Sequence, residues 1–226
     1  MTTPVPPPSP HDLPHDLPRD LPPGRVRRIG VVLFDEVEVL DACGPFEVFS
    51  VANRVAERAG RAAPFEVVLV ATGDGTGVRA RGGLRLGADC GFAQAPPCEV
   101  VLVPGGVVDT VAADPQLLEW LRRSRPGAEV VASVCTGAFV LAAAGLLDGR
   151  AVTTHWEDLD ALRAAWPRLE VREGVRFVDH GDLATSAGIS AGLDLSLHLV
   201  QRLAGRELAL ATARQMDYAW REGAGA

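Results

Sequence analysis

Two patterns of apolar residues alternate along the chain. The first is the short unbroken run: Arg28-Ile-Gly-Val-Val-Leu-Phe34, Phe65-Glu-Val-Val-Leu-Val-Ala71, Val100-Val-Leu-Val103 and Glu129-Val-Val-Ala-Ser-Val134. Runs of this length, rich in β-branched residues, suit strands covered on both faces. The second is apolar spacing at the helical period. Phe46, Val48, Phe49, Ala52 and Val55 mark one such face. That face predicts a helix beginning near Gly44, with Pro45 in its first turn, where a missing N–H has no helical partner to lose. Asp114-Pro115 opens a second, capped helix. Further helices are expected over 156–166, 190–203 and 206–220. Val78 to Leu86 alternates about Gly82-Gly83 and reads as a hairpin. Ala151–His155 and Leu183–Gly188 read as short strand segments.

Strands alternating with helices predict an α/β domain, a flavodoxin-like doubly wound and mostly parallel sheet with helices on both faces. In such sheets ligands bind beyond the carboxyl ends of the strands. Three of those ends carry residues with chemistry: Asp41 after the first, Gly105-Gly106 after the middle one, and Cys135 after the run 129–134. Cys135 falls where a strand passes into a helix. The unpaired N–H groups and dipole of that helix are expected to favour a thiolate and to supply donors for a charge formed in a reaction. Free cysteine is also a common core residue, so position alone leaves both readings open. On pattern alone Asp41 reads as the cap of the helix that begins near Gly44.

The first 25 residues break the pattern. His11-Asp-Leu-Pro14, His15-Asp-Leu-Pro18 and Arg19-Asp-Leu-Pro22 form a tetrapeptide repeat with no apolar face. Such a segment cannot offset its own ordering entropy and is expected to be a disordered or polyproline-like tail. Residues 26–226 then form one domain. The chain has 226 residues, 47% of them hydrophobic and 23% charged, enough for one substantial core. Its 29 acidic and 22 basic residues leave a net charge of −7. An acidic surface argues against nucleic acid or an anionic membrane as partner. No apolar run reaches the roughly 18 residues that span a bilayer. The four cysteines, at 43, 90, 98 and 135, show no paired metal-site spacing. They point to a reducing, cytoplasmic compartment. No metal or organic cofactor is expected.

Five segments taken together resemble the ThiJ/PfpI superfamily, relatives of class I glutamine amidotransferase domains. They are Leu40-Asp41-Ala-Cys-Gly44-Pro45-Phe-Glu47-Val48-Phe49, Val103-Pro104-Gly105-Gly106, Ser133-Val134-Cys135-Thr136-Gly137-Ala138, Thr153-Thr154-His155-Trp156, and Thr185-Ser186-Ala187-Gly188 followed by Ala191-Gly192-Leu193-Asp194. Within that superfamily the chain is most similar to the isonitrile hydratases. It has aspartate at 41, where many relatives carry glutamate, and threonine at 136, where the peptidase branch has histidine.

The resemblance implies a homodimeric enzyme that adds water to an isonitrile, a small-molecule substrate, and releases an N-substituted formamide. Cys135 would be the nucleophile and Asp41, its pKa raised by burial beside the thiol, the acid and base. The Thr136 hydroxyl would hold the water or the substrate. The Gly105, Gly106 and Gly137 backbone would line the substrate position, with the N–H groups of Gly106 and Thr136 facing the developing charge. His155 would face the substrate or support the site from behind. A second resemblance, over Thr185 to Arg206, is to ligand-sensing domains of AraC-type regulators. Those continue into a DNA-binding module, whereas 20 residues follow Arg206 here. A third reading is another cysteine chemistry, such as glyoxal conversion or a stress-response hydrolase.

Overall fold

The computed structural model describes residues 25–73 and 75–223. The tail expected over residues 1–25 lies outside them apart from Arg25, which pairs with Glu99. In chain order the elements are β1 (Arg27–Leu33), α1 (Val39–Arg58), β2 (Phe65–Ala71), β3 (Gly77–Arg79), β4 (Arg85–Gly87), β5 (Cys90–Gly91), β6 (Val100–Val103), α2 (Pro115–Ser124), β7 (Val130–Val134), α3 (Gly137–Ala143), β8 (Ala151–Val152), α4 (Leu159–Ala165), β9 (Glu170–Val171), β10 (Phe177–Asp179), β11 (Leu183–Ser186), α5 (Ala191–Ala204) and α6 (Arg206–Gln215).

Seven strands form one sheet in the order β10-β11-β7-β6-β1-β2-β5. Every neighbouring pair is parallel except β10 with β11. The inner strands β2-β1-β6-β7-β11 follow the flavodoxin-like winding, whose direction reverses between β1 and β6. Right-handed crossovers then put α1 on one face and α2 and α3 on the other. α1 packs with α5 and α6, and α2 packs with α3. With both faces covered, β6 and β7 are buried at every residue, which is why they read as unbroken apolar runs. In the core, Phe49 of α1 meets Phe65 of β2 edge to face at 4.9 Å, a geometry worth about 1 kcal/mol beyond burial.

Four expectations need correction. Pro45 lies inside α1, which begins at Val39 rather than near Gly44. The helix tolerates it near its start, at the cost of the N–H that would have bonded the Asp41 carbonyl. Phe46 is 38% exposed; the buried face of α1 is Val48, Phe49, Val51, Ala52 and Ala56. The last helix stops at Gln215 instead of reaching residue 220, because Asp217 takes a left-handed backbone (φ 51°). The short strand expected over Ala151–His155 is cut to Ala151–Val152, which pairs with β9 in a two-stranded sheet.

Candidate active site

Beyond the carboxyl ends of β1, β6 and β7 the chain brings Asp41, Gly105-Gly106 and Cys135 together. Cys135 and Thr136 make the turn between β7 and α3. The φ of Cys135 is +55°, a left-handed conformation uncommon for a residue with a Cβ. Such strain persists only where the surroundings over-determine it. Here they do. The Cys135 N–H donates to the Ser186 and Ala187 carbonyls at 3.1 and 3.3 Å. Its own carbonyl accepts the Thr154 hydroxyl at 2.8 Å.

The same tightness explains Gly137. A Cβ there would sit 2.1 Å from the Val103 carbonyl oxygen, so only glycine lets α3 start against the end of β6. The sulfur is thus turned back over the sheet end, in a strand–turn–helix elbow of the kind that presents nucleophiles.

Asp41 is not a helix cap. Glu38 is the N-cap of α1, and Asp41 sits in the first turn with its side chain aimed across the sheet end. It is 1% exposed. Oδ2 accepts the Gly105 N–H at 3.1 Å. The Cys135 thiol and the Ile189 N–H also bear on the carboxyl, although Oδ1 is buried with no partner at full hydrogen-bond geometry. Among the described residues no cation pairs with it. Burial therefore dominates and pushes the Asp41 carboxyl up to about 6, with the Gly105 N–H, the thiol and the Ile189 N–H opposing.

The Cys135 thiol is pushed the same way, to about 12, by burial first and by the Asp41 charge second; the Thr136 N–H at the sulfur pulls the other way. Both causes run against the expected preformed thiolate. Helix α3 spans only Gly137–Ala143, while desolvation and a neighbouring anion both raise the thiol. At neutral pH the arrangement is a neutral thiol held against a carboxylate that can take its proton.

The other predicted residues have definite places. The Thr136 hydroxyl donates to the Gly106 carbonyl and accepts the Gly106 N–H, both at 2.9 Å. It closes a loop on the backbone instead of projecting into open space. The Gly106 N–H is therefore committed to Thr136, and the Gly105 N–H to Asp41, so neither faces an empty position. Gly105 fills the gap between Asp41 and Thr136: a Cβ would meet their oxygens at 2.8 and 2.6 Å. The His155 ring lies on Gly188, where a Cβ would overlap it at 2.0 Å. Its Nδ1 is 3.5 Å from Asp158 Oδ2 and 3.6 Å from Glu157 Oε2. These two carboxylates are its ionic partners.

Two contributors were missed in the sequence. Thr154 clamps the elbow through its hydroxyl, although its motif was noticed. Ile189 lies near enough for its N–H to favour the Asp41 carboxylate while itself at φ +50°, and nothing in a β-branched residue announces that conformation. His198 of α5 is packed on Phe177 and bonded to Asp179 at 2.7 Å.

Similarity to known proteins agrees with this geometry. The family model that matches residues 27–202 is that of the DJ-1/PfpI family. An isonitrile hydratase of Pseudomonas putida is 36% identical over 193 residues, covering 85% of this chain and 78% of that protein. The HTH-type transcriptional regulator GbdR of Pseudomonas aeruginosa is 32% identical over 190 residues, 84% of this chain but 50% of its own length. The chain thus spans about half of that regulator. Among solved structures, a ThiJ/PfpI family protein from Pseudomonas syringae superposes with a TM-score of 0.76 at 27% identity, covering 92% of this chain and 84% of that one. Drosophila melanogaster DJ-1beta reaches the same TM-score at 20% identity, covering 87% and 100%, which is likeness of fold alone.

Proposed function

The chain belongs to the DJ-1/PfpI family, and from that premise we propose that it is a cysteine-dependent hydratase converting an organic isonitrile to its N-substituted formamide. The observation that carries this reading is the buried Asp41 carboxyl against the Cys135 thiol, without a counter-cation among the described residues. A carboxyl group poised at about 6 can both take and return a proton near neutral pH.

Asp41 takes the thiol proton as the sulfur attacks the terminal isonitrile carbon. The same proton passes to that carbon, so a C–S and a C–H bond form and a thioimidate is attached to Cys135. Asp41, again a carboxylate, removes a proton from water as its oxygen attacks the thioimidate carbon. The nitrogen gains a proton, the C–S bond breaks, and the sulfur recovers its hydrogen. The sum is one isonitrile plus one water giving one formamide.

The committed N–H groups of Gly105 and Gly106 favour this chemistry over acyl transfer. A tetrahedral oxyanion needs donors waiting for it, whereas addition to an isonitrile carbon creates no oxyanion in its first step. The P. putida relative supports the same substrate class. We place the enzyme in the cytoplasm as a homodimer acting on a small molecule, without nucleic acid or membrane. The charge of −7 agrees with that, and no helix of the described residues is long and apolar enough to cross a membrane.

The test is incubation of purified protein with cyclohexyl isocyanide, following the formamide by NMR, beside Cys135→Ala. Formamide from the parent and none from the variant is expected. Equal turnover by the variant overturns the nucleophile. The regulator relatives favour a second reading, a ligand-sensing domain; saturable binding of the isonitrile with no formamide at any pH would select it.

A further inference from the structure

The catalytic pair is held by one short loop, residues 187–190, which contributes to both of its members. The Ala187 carbonyl accepts the Cys135 N–H at 3.3 Å. The Ile189 N–H bears on the Asp41 carboxyl. The loop does this from a strained position, since Ile189 is at φ +50°, and a β-branched residue holds such a backbone only under external constraint. That constraint is an ionic cluster outside the site, centred on Asp194 in the first turn of α5.

Asp194 is fully buried. Oδ2 accepts from Arg176 Nε at 2.6 Å, and Oδ1 accepts from the Tyr218 hydroxyl at 3.0 Å and the Arg221 N–H at 3.2 Å. Each of the two side-chain donors also grips the loop. Arg176 reaches the Ser190 hydroxyl at 3.3 Å, and its carbonyl accepts the Ala187 N–H at 2.9 Å. The Tyr218 hydroxyl lies 3.3 Å from the Ser190 carbonyl oxygen. The loop is therefore pinned at 187 and at 190, on either side of the strained residue.

We propose that Asp194, with Arg176 and Tyr218, is a positioning group for the reaction, fixing loop 187–190 so that it holds the Cys135 elbow and the Asp41 carboxyl in register. This rests on the hydratase reading for its effect on turnover, but its effect on the thiol can be measured without any isonitrile. It also gives the segment after α6 a task, because Tyr218 and Arg221 tie that segment to the sheet end carrying the site.

The test compares Asp194→Asn and Tyr218→Phe with the parent in two assays: the pH dependence of Cys135 alkylation by iodoacetamide, and the pH dependence of isonitrile hydration. Asp194→Asn loses the charge that fixes Arg176. We expect kcat to fall at least tenfold with KM changed less than threefold, the acid limb of the hydration profile to move upward as Asp41 loses the Ile189 N–H, and the alkylation profile to change. Tyr218→Phe removes only the hydroxyl and gives the same changes in smaller degree, about twofold to threefold in kcat. If Asp194→Asn does not fold, Tyr218→Phe decides the matter. A folded variant whose alkylation and hydration profiles both match the parent overturns the proposal. If the parent hydrates no isonitrile, the alkylation profiles alone decide it, separately from the hydratase reading.

Discussion

The two ends of the central sheet treat charge in opposite ways. At the amino end, ionised side chains are paired and half in water. Arg27 meets Glu129 at 3.0 Å, Arg28 meets Glu66 at 2.8 Å, and Arg25 meets Glu99. Arg28–Glu66 joins the neighbouring strands β1 and β2, while Arg27–Glu129 reaches past β6 to the start of β7; with both partners of these two pairs partly exposed, each contributes little to stability. At the carboxyl end the chain buries one carboxylate with no cation beside it among the described residues, and places a thiol against it. The buried thiol by itself is not the distinction. Cys98, just before β6 at the amino end, is also buried and its thiol is pushed up to about 11. It packs on Gly30 and bonds only the Pro96 carbonyl. What separates the two ends is the buried carboxyl group beside Cys135 and the left-handed backbone that turns the sulfur towards it. Neither is accounted for by stability.

The sharpest way to break this comparison is Asp41→Asn. Turnover is expected to fall by about a thousandfold or more, the scale lost when a proton-transferring group goes, while the fold survives. Its stability effect runs the other way. The folded-state carboxyl titrates at about 6, above the 3.8 of an ordinary aspartate. Its contribution therefore favours folding below about 4 and is lost as pH rises through about 6. Holding the ionised form in the fold then costs about 3 kcal/mol at neutral pH. The variant escapes that cost, so its stability relative to the parent rises by about that amount between pH 4 and 7 in urea titrations. A difference that does not vary with pH would mean that Asp41 is solvated in the folded protein.

Thr136 gives a smaller and more specific effect. Thr136→Val leaves the Gly106 N–H and carbonyl without their shared partner, which costs about 1–3 kcal/mol. Thr136→Ser restores the hydroxyl and most of the loss in thermal melts. If both variants are equally stable, the hydroxyl is not a clamp. Smallest of all is Glu129→Gln at the opposite end. It changes stability by less than about 1 kcal/mol, less still at high salt, and leaves the hydration rate alone. A large effect on turnover there would erase the contrast between the two ends.

The hydrophobic pattern alone determined the inner strands β1, β2, β6 and β7 and their burial, since a sheet covered on both faces requires continuous apolar runs; the short edge strands β5 and β10 carry no such run. It also put Cys135 and Gly105-Gly106 at strand ends, because an apolar run that stops in small residues must turn there. Three things escaped it. It put the start of α1 near Gly44, because Pro45 and the apolar residues after it resemble a helix opening, whereas the helix begins at Val39 and aims Asp41 inward. It favoured a thiolate, because helix position is visible in sequence and desolvation is not. It passed over Ile189 and the Asp194 cluster, whose partners at 41, 135, 176 and 218 lie far apart along the chain. Local order follows from local pattern. The protonation of a buried pair depends on what surrounds it from every side, and only the folded chain decides that.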